Sequence, residues 1–119
     1  MANPNLLSLT TVAGGTADGA LTTTHSSLLA NGASSGKILM VTSIRATNID
    51  GTASVDVTFS RYNGTTHRYI ASTIPVPADV ALIVSSKATP MFLMEGESLY
   101  GSASVNSDAE YAIDYIDLS

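Results

Sequence analysis

The chain has 119 residues, of which 45% are hydrophobic and only 13% charged, and ten acidic against five basic side chains leave it at −5. That length and composition fit one domain with a real core and exclude a chain disordered throughout. Phosphate binding needs clustered cations, whereas Lys37, Arg45, Arg61, Arg68 and Lys87 are scattered, so nucleic acid is excluded as a partner.

No cysteine is present, which rules out a disulfide framework and a zinc–thiolate site. The opening MANPNLLSLT has neither a basic region nor an unbroken apolar stretch, so no signal peptide is expected there. No apolar run approaches the roughly 20 residues that span a bilayer, so no membrane partner is expected. The expected compartment is the cytoplasm of the producing cell, or a particle assembled there.

Residues 1–36 form an N-terminal segment with two short apolar clusters, Leu6-Leu7-Ser8-Leu9 and Leu28-Leu29, separated by glycines and threonines. Residues 6–12 and 20–29 each read as a strand. Two readings stand side by side: a small-residue arm that orders on a partner, or two edge strands joined by a loop.

The body begins at Lys37. Residues 37–48 predict a strand with Ile38, Met40, Ile44 and Ala46 on one face and Val41, Arg45 and Thr47 on the other. Asp50-Gly51 gives a turn. Residues 53–62 alternate more cleanly, with Val55, Val57 and Phe59 inward against Asp56, Thr58 and Ser60. Asn63-Gly64 then signals a type I′ hairpin. The return strand, 67–74, places Arg68, Ile70, Ser72 and Ile74 on one face and is expected to stop at Pro75 and Pro77.

Residues 80–85 are apolar on both faces and predict a strand central in a sheet or sandwiched, followed by a turn at Ser85-Ser86-Lys87. A short strand runs from Pro90 to Met94 before the acidic turn Glu95-Gly96-Glu97. Leu99, Gly101, Ala103 and Val105 alternate with Tyr100, Ser102 and Ser104, and Asn106-Ser107-Asp108 turns the chain again. The closing strand, 110–118, sets Tyr111, Ile113 and Tyr115 against Ala112, Asp114 and Ile116. No stretch carries a helical period. The expected fold is all-β, an antiparallel β-sandwich or jelly roll of about eight strands in one domain.

The chain carries no complete catalytic or ligand-binding motif. His25 and His67 stand on different elements, and an isolated strand histidine reads as a polar surface or interface residue. Ser26 beside His25 has no nucleophile-elbow context. Gly32-Ala33-Ser34-Ser35-Gly36-Lys37-Ile38 fails as a phosphate loop: the glycines are too close, Ile38 replaces the magnesium-binding hydroxyl, and no helix follows. Asp108, Glu110, Asp114 and Asp117 make one acidic patch and Glu95 with Glu97 another, neither in a calcium-loop pattern. Asn63-Gly64-Thr65 matches a glycosylation sequon and reads as the hairpin turn. Aromatic material for a glycosidase cleft is thin, with two Phe, five Tyr and no Trp. No catalytic, cofactor or metal residue is assigned, and no enzyme is expected.

Three stretches carry a resemblance: ILMVTSIRATNIDGTASVDVTFSRYNGTT, TIPVPADVALIVSSKATPMFLMEGESLYGSAS and AEYAIDYID. In their Asp-Gly turn, Glu-Gly-Glu-Ser turn and strand order they resemble the small β-rich virion proteins of tailed bacteriophages. The segment before Gly36 carries none of it. The resemblance implies a capsid decoration (cement) protein, trimeric, contacting the major capsid protein or other virion proteins, with residues 1–12 or the exposed faces of terminal strands in contact. Its rival is a neck, tail or fibre component, a glycan-binding β-module in that case, marked by grouped surface aromatics for which Tyr62, Tyr69 and Tyr100 are the candidates.

Overall fold

The computed structural model describes residues 11–85 and 91–119. They form nine strands: β1 (Val12–Ala20), β2 (Ser26–Ala30), β3 (Ile38–Asn48), β4 (Val55–Tyr62), β5 (His67–Val76), β6 (Ala81–Ser85), β7 (Met91–Leu93), β8 (Ser98–Ala103) and β9 (Ala109–Leu118). All described pairings are antiparallel, in two sheets. Sheet A runs β1-β9-β3-β6, with β7 also on β3, and sheet B runs β2-β8-β4-β5. The expected antiparallel sandwich is what forms.

The core lies between the sheets. Val41, Ile44 and Ile113 from sheet A meet Val55, Val57, Phe59 and Leu99 from sheet B, all fully buried. Each such side chain contributes roughly 1.5–3 kcal/mol of transfer free energy, before the ordering entropy that offsets it.

Bulges redistribute several faces. On β3 the register slips between Val41 and Ser43, and the Thr42 hydroxyl donates to the Asp114 carbonyl at 3.1 Å. Val41 therefore joins Leu39, Ile44 and Ala46 in the core, against the expectation that placed it with Arg45 and Thr47. Strict period-2 counting fails wherever one residue is left out of the ladder. On β5 two shifts sit between Val57 and Ser60 of the partner strand. They carry Ala71 onto the core-side parity of Ile74, while Arg68 and Ile70 lie exposed. Thr73, at the first of these shifts, takes φ 52°, and its amide donates to Thr58 Oγ1.

Three boundary expectations change. The hairpin after Tyr62 is a four-residue loop, since Tyr62 pairs His67 and only Gly64 of its residues has positive φ. Asn63 accepts from the amides of Thr65 and Thr66 through its side chain, which fixes the wider turn instead of type I′. Pro75 does not end β5. It pairs with Asp56, because β5 is an edge strand and a missing amide there costs no ladder bond. Residues 80–85 are not central: β6 forms an edge of sheet A, with Leu82 and Val84 against the core and Ile83 64% exposed.

The N-terminal region supplies a strand to each sheet. The expected strand over 6–12 lies outside the described residues except for its end, as do Ser86, Lys87 and Pro90. The single strand expected over 20–29 is interrupted, because buried Leu21 marks the crossing from sheet A to sheet B. In β1 the core-side positions are Ala13, Gly15, Ala17 and Gly19, and β9 lays tyrosine rings over them. A Cβ on Gly15 would stand 2.5 Å from the Tyr115 ring, so any larger residue there must displace that ring.

Two buried asparagines tie loops across the sandwich. Asn48 donates to the Ala53 and Val76 carbonyls, both at 2.9 Å, and its own Oδ1 accepts from the Asp50 amide. Asn31 donates to Lys37 and Leu93 carbonyls at 2.8 and 2.9 Å.

Candidate functional site

The site begins with the alternation of sheet B. Core-facing Val57, Phe59, Leu99 and Gly101 leave Thr58, Ser60, Tyr62, Tyr100 and Ser102 on the outer side. Directly opposite pairs then assemble the face: Ser60 lies beside Tyr100 on one flank and Tyr69 on the other, and Tyr62 lies beside His67. His25, just before β2, reaches across β8 to the same place. The two histidines thus come from opposite edges of the sheet and meet above its middle.

Ser60 is the hub. Its hydroxyl stands 2.7 Å from His25 Nε2 and 3.1 Å from His67 Nδ1, and His25 Nδ1 stands 3.0 Å from Ser102 Oγ. Two proton assignments of opposite direction satisfy all three contacts with both imidazoles neutral. In one, His67 donates to Ser60, Ser60 to His25, and His25 to Ser102; in the other every arrow reverses. Burial lowers the His25 pKa, and the neighbouring His67 lowers it further, so His25 favours the neutral form these chains require.

Five rings close over that hub. Tyr62 and His67 have centroids 4.5 Å apart, His67 and Tyr100 meet edge-on at 4.8 Å, and Tyr62 and Tyr100 at 5.5 Å. His25 joins them at 5.5 Å from His67, 5.7 Å from Tyr100 and 6.2 Å from Tyr69. These separations are those of favourable aromatic pairs. Ser60 is fully buried beneath them although it lies on the outer face.

The arrangement is no nucleophile. A serine with no exposure offers its oxygen to no substrate, and among the described residues no carboxylate hydrogen-bonds either imidazole to orient it as a base. Nor do the described residues gather three or more His, Asp or Glu in a metal-binding group.

The remaining candidates have structural uses. Glu95 accepts from the Gly36 amide at 2.9 Å and Glu97 from the Met94 amide at 2.8 Å, which holds the Gly96 turn (φ 82°). Asp117 pairs with Lys37 at 3.0 Å. Asp18 and Glu110, with Thr47 and Tyr111, line an open concavity of about 340 Å³ on sheet A. Gly32 to Ile38 is the loop into β3, closed by the Ser35 hydroxyl on the Asn31 side-chain oxygen. Tyr62, Tyr69 and Tyr100 are brought together with both histidines and Ser60. In the sequence the histidines stand on separate elements, and the clue to the cluster is outward parity: Ser60, Tyr62, Tyr100 and Ser102 all alternate with core residues.

No protein-family model matches the chain, and no curated protein matches it. Among solved structures, one described as a pentameric capsid protein isolated from metagenomic phage sequences aligns at TM-score 0.40 and 16% identity, over 83% of this chain and 60% of that one. A second, of the same description, aligns at TM-score 0.39 and 15% identity, over 87% and 60%. The chain thus spans about 60% of the length of these structures, and a likeness this slight carries no argument about its role.

Proposed function

We propose that this chain is a structural subunit of a tailed-bacteriophage virion, wound as a jelly roll with β7 as an added strand, and that it serves as a capsid decoration protein. The observation that supports an assembly role is a second apolar face. A sandwich needs one apolar side per sheet, facing its core. Sheet A has another: register and alternation set Val12, Ile38, Met40, Phe92, Ile116 and Leu118 on its outer side, across β1, β9, β3 and β7. Val12 is 66% exposed and Met40, Phe92, Ile116 and Leu118 are half-buried, while Ile38 is buried. A contiguous apolar patch of this kind marks a protein–protein contact.

In this reading the row docks on the major capsid protein or a neighbouring virion protein, and trimeric association adds avidity to a modest area per copy. The resemblance of the β3–β4 and β6–β8 stretches to small virion proteins supports the same assignment. Mass spectrometry of purified particles tests it. Decoration requires copies on the order of hundreds, whereas about a dozen or fewer place the protein at the neck, tail or fibre, and absence from the particle defeats the proposal. Ile116→Lys should leave a folded protein that no longer incorporates; unchanged occupancy would remove the outer row from the contact. Deleting residues 1–12 tests the arm separately by the same readout.

A further inference from the structure

Among the described residues, the outer face of sheet B differs from that of sheet A in its rings and hydroxyls. Pairing and alternation place Ser27, Thr58, Ser60, Tyr62, His67, Tyr69, Ser98, Tyr100 and Ser102 there, with His25 reaching over. Among the described residues the only fixed charge these registers put on the face is Asp56, at one end beside Pro75. Arg61 and Arg68 pair with one another on the opposite parity.

We propose that this face is a binding platform for an uncharged saccharide chain, with Tyr69, Tyr100 and His67 as the contact residues. Stacking surface is already set. Tyr69 is 62% exposed, and the five rings form one continuous group. The apolar faces of pyranose rings lie on such aromatic surfaces, which keep their shape because few torsions need to be frozen.

Hydrogen-bonding capacity is left over where a sugar would need it. Tyr62 spends its hydroxyl on the Gly64 carbonyl, and Ser60 and Ser102 spend theirs on the histidines. The hydroxyls of Tyr69 and Tyr100 and the Nε2 of His67 have no protein partner among the described residues. Tyrosine hydroxyls and an imidazole both donate and accept, as sugar hydroxyls do. The Ser60 hub holds the platform rigid: both imidazoles are pinned from beneath, so their orientation is fixed before any ligand arrives.

Competing occupants fit the face less well. Single-stranded nucleic acid would stack on the rings but needs cations along its backbone, and this face supplies none. A lipid or an apolar protein surface needs aliphatic contact, which lies on sheet A instead. An anionic glycan would meet Asp56 and a protein of net charge −5.

The proposal holds wherever in a particle the protein sits, so its test is independent of copy number. The full chain is passed over an array of defined neutral oligosaccharides and run in affinity electrophoresis through gels containing neutral polysaccharides (dextran, mannan, soluble cellulose). Binding to at least one neutral glycan is expected. Tyr69→Ala should weaken it roughly five- to tenfold and Tyr100→Phe by a smaller factor, while Glu110→Gln on sheet A leaves it unchanged. Both sheet B variants keep the core residues, and an unchanged melting temperature verifies their fold. The proposal is overturned by wild-type protein that binds no neutral glycan, by binding that Tyr69→Ala leaves intact, or by a homo-oligomer that Tyr69→Ala dissolves, which would make the face a contact between copies.

Discussion

The outer faces of the two sheets began from the same pleat and diverged completely. Sheet A presents aliphatic and Met/Phe side chains at one end, Met40, Phe92, Ile116 and Leu118, and an acidic stretch with Asp18 and Glu110 toward the other. Sheet B presents rings and hydroxyls with one carboxylate, Asp56, at one end. Apolar surface gains from dehydration against a matching protein surface, whereas rings with free polar tips suit a ligand that is itself half apolar and half hydroxyl. If the two faces serve the two partners proposed above, substitutions on one should leave the other untouched.

That separation depends on a shared core, which gives the largest expected effect. Val57 is fully buried at the centre of β4, between Ala103 of β8 and Ile74 of β5. Val57→Asp places an unpaired carboxylate where no water reaches, at a cost of several kcal/mol against a total stability of about 5–15 kcal/mol. The expected outcome is loss of soluble folded protein, read by far-ultraviolet circular dichroism, with both partner functions lost together. If Val57→Asp stayed folded, the placement of β4 would be wrong.

Gly101 gives the next effect, and it is directed at one sheet. A Cβ there would meet Leu28 Cδ1 at 2.5 Å and the Phe59 ring at 3.1 Å. Gly101→Val overpacks the contact between β2 and β4 beneath the rings, which costs about 1–3 kcal/mol. Denaturant unfolding should show that loss, and saccharide binding should fall with it because His25 follows β2. Incorporation through sheet A should persist in whatever fraction remains folded. Equal loss of both functions would show that the faces are not independent.

The strand count and the positions of the turns at Asp50-Gly51 and Glu95-Gly96-Glu97 were legible in the sequence because alternation and turn residues are local, whereas the type of the Asn63-Gly64 turn was not. Val55, Val57 and Phe59 announce their face by period alone, and all three are in the core. Bulges are not announced. Nothing in the order Val41-Thr42-Ser43 says that Thr42 spends its hydroxyl on the Asp114 carbonyl, yet that slip moves Val41 into the core. The apolar double face of residues 80–85 was legible and its meaning was not: an apolar outer position suits a central strand and an assembly contact equally well. The ring cluster was legible only by halves. Tyr62, Tyr69 and Tyr100 stand out as surface aromatics, but His25 lies 35 residues from Ser60 in sequence, and only the sheet order β2-β8-β4-β5 brings them together.

The smallest expected effect is a pH dependence confined to sheet B. His25 is faced by Ser60 from β4, by Tyr100 and Ser102 from β8, and by His67 and Tyr69 from β5, with no carboxylate among these neighbours to stabilise a cation. Burial and the His67 ring lower its pKa below the ordinary value of 6.5, so the unfolded chain binds the proton more readily than the folded one. Stability therefore rises with pH through that window: it is fully present above about 6.5 and declines as the solution is acidified toward the lowered folded value. The melting temperature should fall by a few degrees or less between pH 7 and pH 5, since the group is only partly shielded from water. His25→Gln keeps a hydrogen-bonding side chain at Ser60 without a titrating one, and should flatten that part of the curve. The same acidification should weaken saccharide binding, because a charged His25 splays the ring group, while incorporation through the uncharged Met40–Ile116 row stays constant. A melting curve as steep in His25→Gln as in the parent would assign the acid sensitivity to carboxylates such as Asp50, whose lowered pKa, set first by the Thr52 amide, places its own loss of stability at lower pH.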